Sequence, residues 1–95
     1  MASVIARVEL HSASWQDYEN LHAFMAAEGY SKTVRANDGT TFQLPTGTYV
    51  NSAVRSGSDG AEKAYRAAQR TGRTSSVFVG GWDGTWNGYG LSRVS

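Results

Sequence analysis

Residues 30–50 read YSKTVRANDGTTFQLPTGTYV, and this stretch decides the fold. Asp38 and Gly39 form a turn dipeptide between two segments rich in β-branched and aromatic residues, which predicts a β-hairpin. The first strand is expected over about residues 30–36 and the second over about residues 40–50. Pro45 should interrupt the second strand, because proline cannot donate to a β-ladder. The segments on either side of the hairpin then determine which α+β arrangement it belongs to.

Two elements are predicted before the hairpin. A strand is expected over residues 3–11, because apolar and polar residues alternate there; its core-facing set is Val4, Ala6, Val8 and Leu10. A helix is expected over residues 15–28, because the Ser14 side chain can accept from the backbone N–H of Asp17. Gly29 is placed to end this helix in a left-handed conformation. The first half of the chain is therefore a β-α-β-β unit.

One more helix and one more strand are predicted after the hairpin. Ser58 or Asp59 can cap the second helix, and Gly72 can end it; its expected buried stripe is Ala61, Ala64, Tyr65 and Ala68. A fourth strand is expected over residues 74–80, which have a β-branched and aromatic centre. The predicted fold class is α+β: a ferredoxin-like βαββαβ domain with both helices on one face of an antiparallel sheet.

The sheet face turned away from the helices and the C-terminal end are both unusual. Ile5, Arg7, Glu9 and His11 should point to that face, joined either by Phe78 or by Val77 and Val79. A partly apolar open face of this kind is typical of an interface. Residues 1–80 should form the ferredoxin-like domain, and residues 81–95, rich in glycine and aromatic residues, an extra hairpin or a tail.

Composition excludes several classes of function. The chain has 95 residues, no cysteine and a formal net charge of +1. A disulfide framework, a thiolate zinc site and a thiol nucleophile are therefore excluded. No apolar run approaches the ~18 residues of a membrane span, and the N-terminus lacks a signal-peptide pattern, so we expect a soluble, cytoplasmic protein without membrane partners. With so little net charge, any nucleic-acid binding must come from local clusters of cations.

The first fifty residues resemble the GhoS family, antitoxins of type V toxin–antitoxin systems described as endoribonucleases. The resemblance is carried by the first strand, the first helix, the Gly29-Tyr30-Ser31 junction, Asn37-Asp38-Gly39, and Gln43-Leu44-Pro45 with Tyr49. It implies a ferredoxin-like fold, related in shape to nucleases of CRISPR adaptation that work as dimers. It brings no specific catalytic motif to this chain, so an mRNA-cleaving activity would follow from fold and family alone.

Two features predict a surface for single-stranded RNA. Cations of the second helix and its end form what we call the basic stripe, which could track phosphates: Lys63, Arg66, Arg70 and Arg73. Trp82 and Trp86, with Tyr89, could stack on unpaired bases. Arg7, Lys32 and Arg35 are possible additional contacts. The structural alternatives are a solvated helix face favourable to the helix dipole, and aromatic rings folded over the sheet or against a second subunit.

The two histidines are the candidates for catalysis. His11 and His22 could act as acid or base in metal-independent RNA cleavage, because histidine titrates near neutral pH. The alternative is that each is a lone surface histidine. The carboxylates are dispersed in capping and turn positions, so no metal site is predicted. The glycine-rich segment lacks the ending of a phosphate-binding loop, and we expect no cofactor.

Two functional hypotheses follow. In the first, the chain is a GhoS-like antitoxin that binds single-stranded mRNA and, if it is an enzyme, cleaves it as an endoribonuclease. In the second, it is a small non-catalytic dimeric module that docks on another protein, as in a phage or other mobile element. In both, we expect a homodimer formed through the sheet or the C-terminal segment.

Overall fold

The computed structural model describes residues 1–94, which form six strands and two helices. In chain order these are β1 (Ala2–Leu10), α1 (Trp15–Ala27), β2 (Thr33–Arg35), β3 (Thr41–Gln43), β4 (Thr48–Val54), α2 (Gly57–Arg70), β5 (Ser75–Gly81) and β6 (Arg93–Val94). The predicted elements are all present, most of them within one or two residues of their expected ends. The chain has the α+β class that the sequence predicts.

The strands form two three-stranded antiparallel sheets instead of the single predicted sheet. One has the order β4-β1-β5 and the other β2-β3-β6. A single antiparallel bridge between Ser31 and Val50 links them. When this bridge is included, the order of the strands is compatible with that of a ferredoxin-like fold. The prediction of one continuous sheet was wrong because β2 is short and its main partner is β3.

The core lies between the β4-β1-β5 sheet and the two helices. Val4, Ala6, Val8 and Leu10 are buried on the helix side, as their alternation predicts. Leu21 and Met25 of α1 are fully buried against them, together with the small residues of α2. Burying a large aliphatic side chain contributes about 1.5–3 kcal/mol to folding, so these few residues carry much of the stability. Both helices therefore cover one face of this sheet.

The capping of α1 confirms the prediction. The Ser14 hydroxyl accepts from the Asp17 N–H (3.2 Å), and the Asp17 carboxylate accepts from the Ser14 N–H (2.9 Å). The hydrogen bond from the Ser14 N–H is the main cause that lowers the pKa of Asp17. Gly29 follows the helix with a φ of +89°, which glycine adopts without strain. The sequence signals at both ends of α1 are therefore sufficient to set its length.

Two predictions about α2 were wrong. Its N-cap is Ser56, whose hydroxyl accepts from the Asp59 N–H (3.1 Å), so the helix starts before Ser58. Tyr65 is 52% exposed, and the buried stripe is Gly60, Ala64, Ala67 and Ala68. At Gly60 a β-carbon would lie 3.0 Å from the Val4 side chain, a tight contact, so glycine at this position favours the close approach of α2 to the sheet. The buried face of α2 therefore consists of its smallest residues.

The hairpin forms between β2 and β3, with Gly39 at a φ of +89°. The break at Pro45 is wider than expected and separates β3 from β4. Gly47 occupies this break at a φ of +85°, and its carbonyl accepts from the Val8 N–H (2.7 Å). β4 continues to Val54, beyond its expected end at residue 50, and pairs with β1 as far as Ala2. Within it, the buried Asn51 amide donates to the Glu28 carbonyl (3.1 Å) at the end of α1.

The C-terminal segment crosses from β5 to the other sheet. Its short strand β6 pairs with β3, and the Gln43 N–H donates to the Ser92 carbonyl (2.8 Å). The segment therefore pairs with the domain and does not form a hairpin of its own within residues 81–94. Neither helix in this part of the chain is long and apolar enough to cross a membrane.

Candidate nucleic-acid interface

One face of the β4-β1-β5 sheet, which we call the open face, is not covered by the helices. Its side chains alternate with the core residues, and residues directly opposite each other on neighbouring strands share a face. The set comprises Ser3, Ile5, Arg7 and Glu9 of β1, Thr48 and Val50 of β4, and Ser76, Phe78 and Gly80 of β5. Phe78 is 73% exposed, whereas Val77 and Val79 pack on the core. Phe78 is thus the residue of β5 that joins this face.

A groove lies where the C-terminal segment leaves the open face. The Trp82 N–H donates to the Ser3 carbonyl (3.2 Å), which extends the β1–β5 ladder and puts Trp82 on the same face as Phe78. What we call the tryptophan groove has a volume of about 350 Å³. Its walls are formed by Trp82 and Trp86, by Arg35 and Val50, and by the hydroxyl-bearing residues Ser3, Ser31, Thr33 and Ser52.

A tight turn sets the spacing of the two tryptophans. The Asp83 carboxylate accepts from the Thr85 N–H (2.9 Å), and Gly84 has a φ of +87°. Trp86 also makes an edge-on contact with Phe42 of β3, with ring centroids 6.1 Å apart. Both indoles are half-buried, so each is held by the protein and still presents ring surface to the groove. This is the arrangement that a stacking site for unpaired bases requires.

Arg35 supplies positive charge at the groove. It lines the tryptophan groove and also a second depression of about 330 Å³ on the other side of Gly84 and Trp86. Its Nε lies 3.4 Å from the Gly39 carbonyl, a weak contact that leaves the other guanidinium donors available. Arg7 lies further along the open face, where its Nη1 donates to the Thr46 carbonyl (2.8 Å). Arg35 at the groove and Arg7 on the open face therefore both supply positive charge to this side of the molecule.

The basic stripe lies on the helix side of the molecule, and its members contact side chains of their own chain. Arg66 makes two hydrogen bonds of 2.8 Å to the Glu28 carboxylate. These bonds lower the pKa of Glu28 and raise that of Arg66. Lys63 pairs with Asp59 (2.9 Å) and Arg73 with Asp17 (2.9 Å); the Arg70 guanidinium lies 4.2 Å from the Phe24 ring centroid.

The structure therefore separates the two features predicted to form one RNA surface. The tryptophan groove opens on one side of the sheet, and the basic stripe lies on α2 and its end on the other side. The ion pairs give three members of the stripe structural partners within the chain. Lys32 lies apart from both, beside His22 and Pro45 at a small depression near the break between β3 and β4.

The two histidines lie on opposite faces of the sheet. His11 follows Glu9 on the open face, and its Nε2 is 3.0 Å from the Ser76 hydroxyl. His22 lies in the helix layer, where its Nδ1 is 2.6 Å from the Tyr49 hydroxyl. Burial lowers the pKa of His22, and the nearby Lys32 charge lowers it further. The two imidazoles do not converge on one reacting group.

The tyrosine partner of His22 is part of the core. Tyr49 is fully buried, and burial raises the pKa of its hydroxyl. The Glu19 carboxylate lies 3.5 Å from the other ring nitrogen of His22. Both neighbours are satisfied when the neutral imidazole donates from Nε2 to Glu19 and accepts at Nδ1 from Tyr49. Within residues 1–94, no cluster of three or more histidine, aspartate or glutamate side chains could hold a metal ion.

Sequence reasoning found both tryptophans and Arg35 but missed the hydroxyl-bearing wall of the groove. That wall comes from three separate strands and one bridge, which have no common local motif. The signal for Phe78 was present: Ser76, Phe78, Gly80 and Trp82 are alternate residues, so they share a face of the strand and its extension. Searches of protein-family models, of curated proteins and of solved structures found no match to this chain.

Proposed function

We propose that the chain binds single-stranded RNA on the open face, as an RNA-directed antitoxin of the kind its resemblance to the GhoS family implies. The observation that carries the proposal is the tryptophan groove. Two half-buried indoles and an arginine border one cavity, and an exposed phenylalanine lies on the same face. Stacking on aromatic rings is the main way proteins hold unpaired bases, and it is tolerant of sequence.

The charge of the site supports a modest electrostatic contribution. Arg35 lines the groove and Arg7 lies on the open face, and the net charge of the whole chain is only +1. For single strands, each phosphate contact changes the slope of log K against log salt by about −0.7. Two contacts therefore give a slope of roughly −1.4, and Arg35→Gln should reduce its magnitude by about half. Stacking, and not charge, would supply most of the affinity.

Tryptophan fluorescence tests the proposal directly. The chain has three tryptophans, and Trp15 is 75% exposed at the start of α1, far from the groove in the fold. A Trp15→Phe variant leaves only Trp82 and Trp86 as reporters. Titration with an oligouridylate of about 12 nucleotides should quench their emission, and a duplex of equal length should quench it much less. Absence of quenching by the single strand would reject the proposal.

Binding is proposed without a catalytic mechanism. The histidines that could serve as acid and base lie on opposite faces of the sheet, so a single bound phosphodiester would reach at most one of them. A cleavage assay in the presence of a chelator tests the enzyme hypothesis separately. Intact RNA at high protein concentration would limit the function to binding, whereas cleavage lost in His11→Ala would place the reaction on the open face.

The protein-binding module is the second candidate, and the exposure of Phe78 favours it. An exposed aromatic residue on a β-strand, here opposite Arg7, is a feature of protein contacts as well as of stacking surfaces. The two functions differ in their dependence on the groove. If Phe78→Ala abolishes capture of a partner protein while Trp82→Ala and Trp86→Ala leave it unchanged, the protein-binding function is supported.

A further inference from the structure

The outer edge of β5 is a second surface that the proposed function does not use. β5 pairs with β1 on one side, and within residues 1–94 no strand pairs with its other side. The His11 N–H donates to the Thr74 carbonyl (2.8 Å), and the Trp82 N–H donates to the Ser3 carbonyl (3.2 Å). The backbone N–H and C=O groups of the even-numbered residues of β5 therefore face β1. Those of Ser75, Val77, Val79 and Gly81 point outward.

This edge lacks the features that usually prevent edge-to-edge pairing. Natural edge strands carry charged residues, prolines or bulges, or they are very short. The sequence of β5 is SSVFVGG, with no charge and no proline over seven residues. Its pairing with β1 shows no shift of register, so the strand carries no bulge. Such an edge is suited to accept another strand.

The sequence of β5 is close to symmetric about Phe78. Valine lies on each side of it, and two small residues lie beyond each valine. We infer that β5 pairs antiparallel with β5 of a second copy of this chain, in the register that places Phe78 opposite the partner's Phe78. In that register Val77 lies opposite the partner's Val79, and Ser75 opposite the partner's Gly81. Every outward backbone group of the strand then has a hydrogen-bonding partner.

Charges at the two ends of the strand favour the same register. Arg73 and Asp83 are equally far from Phe78 in the sequence, on opposite sides of it. In the proposed pairing, Arg73 of each copy lies near the partner's Asp83, and two like charges never face each other. A two-fold interface must match itself in this way, because the same surface is used by both subunits.

Exposed apolar side chains flank the edge on both faces of the sheet. Phe78 lies on the open face. On the helix side, Tyr65 of α2 borders a depression with Gln69 and Ser75. A second copy at the edge would place the two Phe78 rings next to each other on the open face and would cover Tyr65 on the helix side. Because the two-fold axis is perpendicular to the sheet, the open faces of both subunits lie on the same side and form one continuous surface.

The oligomeric state tests the inference with RNA absent, so the result is independent of the proposed RNA binding. By sedimentation velocity, the wild-type chain should form dimers in a concentration-dependent manner. Phe78→Lys places two like charges at the axis, and Gly81→Pro removes an outward N–H without touching the pairing with β1. Both variants should be monomers with an unchanged circular dichroism spectrum. Tyr89→Lys, at a fully exposed residue of the C-terminal segment, should remain dimeric.

Engineered cysteines test the register. The chain has no cysteine, so Phe78→Cys introduces a single thiol at the axis, opposite its own copy. Directly opposite residues in a non-hydrogen-bonded pair have Cα atoms about 4.5 Å apart, which a disulfide can span. Ser76→Cys, on the same face and strand, would lie opposite the partner's Gly80, so it should cross-link far more slowly under mild oxidation.

The outcomes separate the inference from its alternatives. Dimers that dissociate with Phe78→Lys and Gly81→Pro, and faster cross-linking at position 78 than at 76, support it. A wild-type chain that stays monomeric at all concentrations overturns it. So do a dimer that persists in both edge variants, a dimer that dissociates only with Tyr89→Lys, and equal cross-linking at positions 76 and 78.

Discussion

The two faces of the β4-β1-β5 sheet are built from the same strands but have different chemistry. The helix side holds the core, and the cations of the basic stripe contact carboxylates or a ring there. The open face presents Phe78 and the tryptophan groove, whose rings remain exposed or half-exposed. The difference indicates that stability is concentrated on one face, which leaves the other free to bind a ligand.

The largest expected effect is on the helix face. Leu21→Ala should lower the free energy of unfolding by about 2–5 kcal/mol, because it leaves a cavity at a fully buried site. The matched change on the open face, Phe78→Ala, should change it by about 0.5 kcal/mol or less, because most of that ring is in water. Urea denaturation of both variants, at a concentration where the chain is monomeric, measures the contrast. Equal losses would contradict the division of roles.

A smaller loss is expected where α2 approaches the sheet. Gly60→Ala should cost about 1–3 kcal/mol, because its new methyl group would meet Val4 and the Tyr30 hydroxyl. Tyr30 donates to the Gly60 carbonyl (2.7 Å), and burial raises the pKa of this tyrosine to about 12. Gly81→Ala is the control, since no atom lies within 4 Å of the added carbon. Thermal unfolding of the two variants should differ clearly, and similar midpoints would contradict the close approach.

His22 should make stability depend on pH. Its pKa in the folded chain lies below the ordinary value of 6.5, so the unfolded chain takes up the proton first as the pH falls. Stability should therefore be full above pH 6.5 and decline as the pH falls through this value toward the lowered pKa. His22→Asn should remove the decline, and His11→Asn should keep it. Melting temperatures between about pH 5 and 7 avoid the carboxylates, which titrate lower. A decline that is unchanged in His22→Asn would contradict this assignment.

The smallest effect is expected for the basic stripe. Arg66→Gln removes the paired hydrogen bonds to Glu28, but Arg66 is half-exposed, so this bidentate pair should contribute about 1 kcal/mol or less to stability. The variant should unfold at nearly the wild-type urea concentration. Its RNA affinity should also be unchanged, because the arginine lies on the side away from the groove. A marked loss of RNA binding in this variant would place the nucleic acid on α2.

The sequence predicted the elements well because their signals are local. The alternation in β1, the capping box of Ser14 and Asp17, and the turn at Asp38 and Gly39 each depend on neighbouring residues. The end of β4 was missed because residues 51–54 carry little local strand signal. They are held by pairing with β1 and by the contact of Asn51 with the Glu28 carbonyl, both of which are distant in sequence.

Only part of the candidate site was predicted, because contacts between residues that are distant in the sequence leave no local signal. Trp82 and Trp86 were predicted because tryptophan is a typical stacking residue, and Arg35 because it is a basic residue of the hairpin. Arg66 pairs with Glu28, and Arg73 pairs with Asp17. Both pairs join residues that are far apart in the sequence, so the hydrophobic periodicity of a helix cannot reveal them. Without those pairs, the basic stripe and the tryptophans are easily assigned to one surface. Their separation follows from the topology of the sheet.

The most direct test of whether RNA binds the open face, and not the helix side, is the RNA affinity of matched variants on the two faces. Anisotropy of a labelled oligouridylate should be measured for wild type, for Trp82→Ala with Trp86→Ala, and for Arg66→Gln with Arg70→Gln, each checked for folding by circular dichroism. Removing the indoles should weaken binding by about 5- to 150-fold per ring, while the helix-face variant should bind like wild type. Binding that depends on the two arginines and not on the two tryptophans would contradict it.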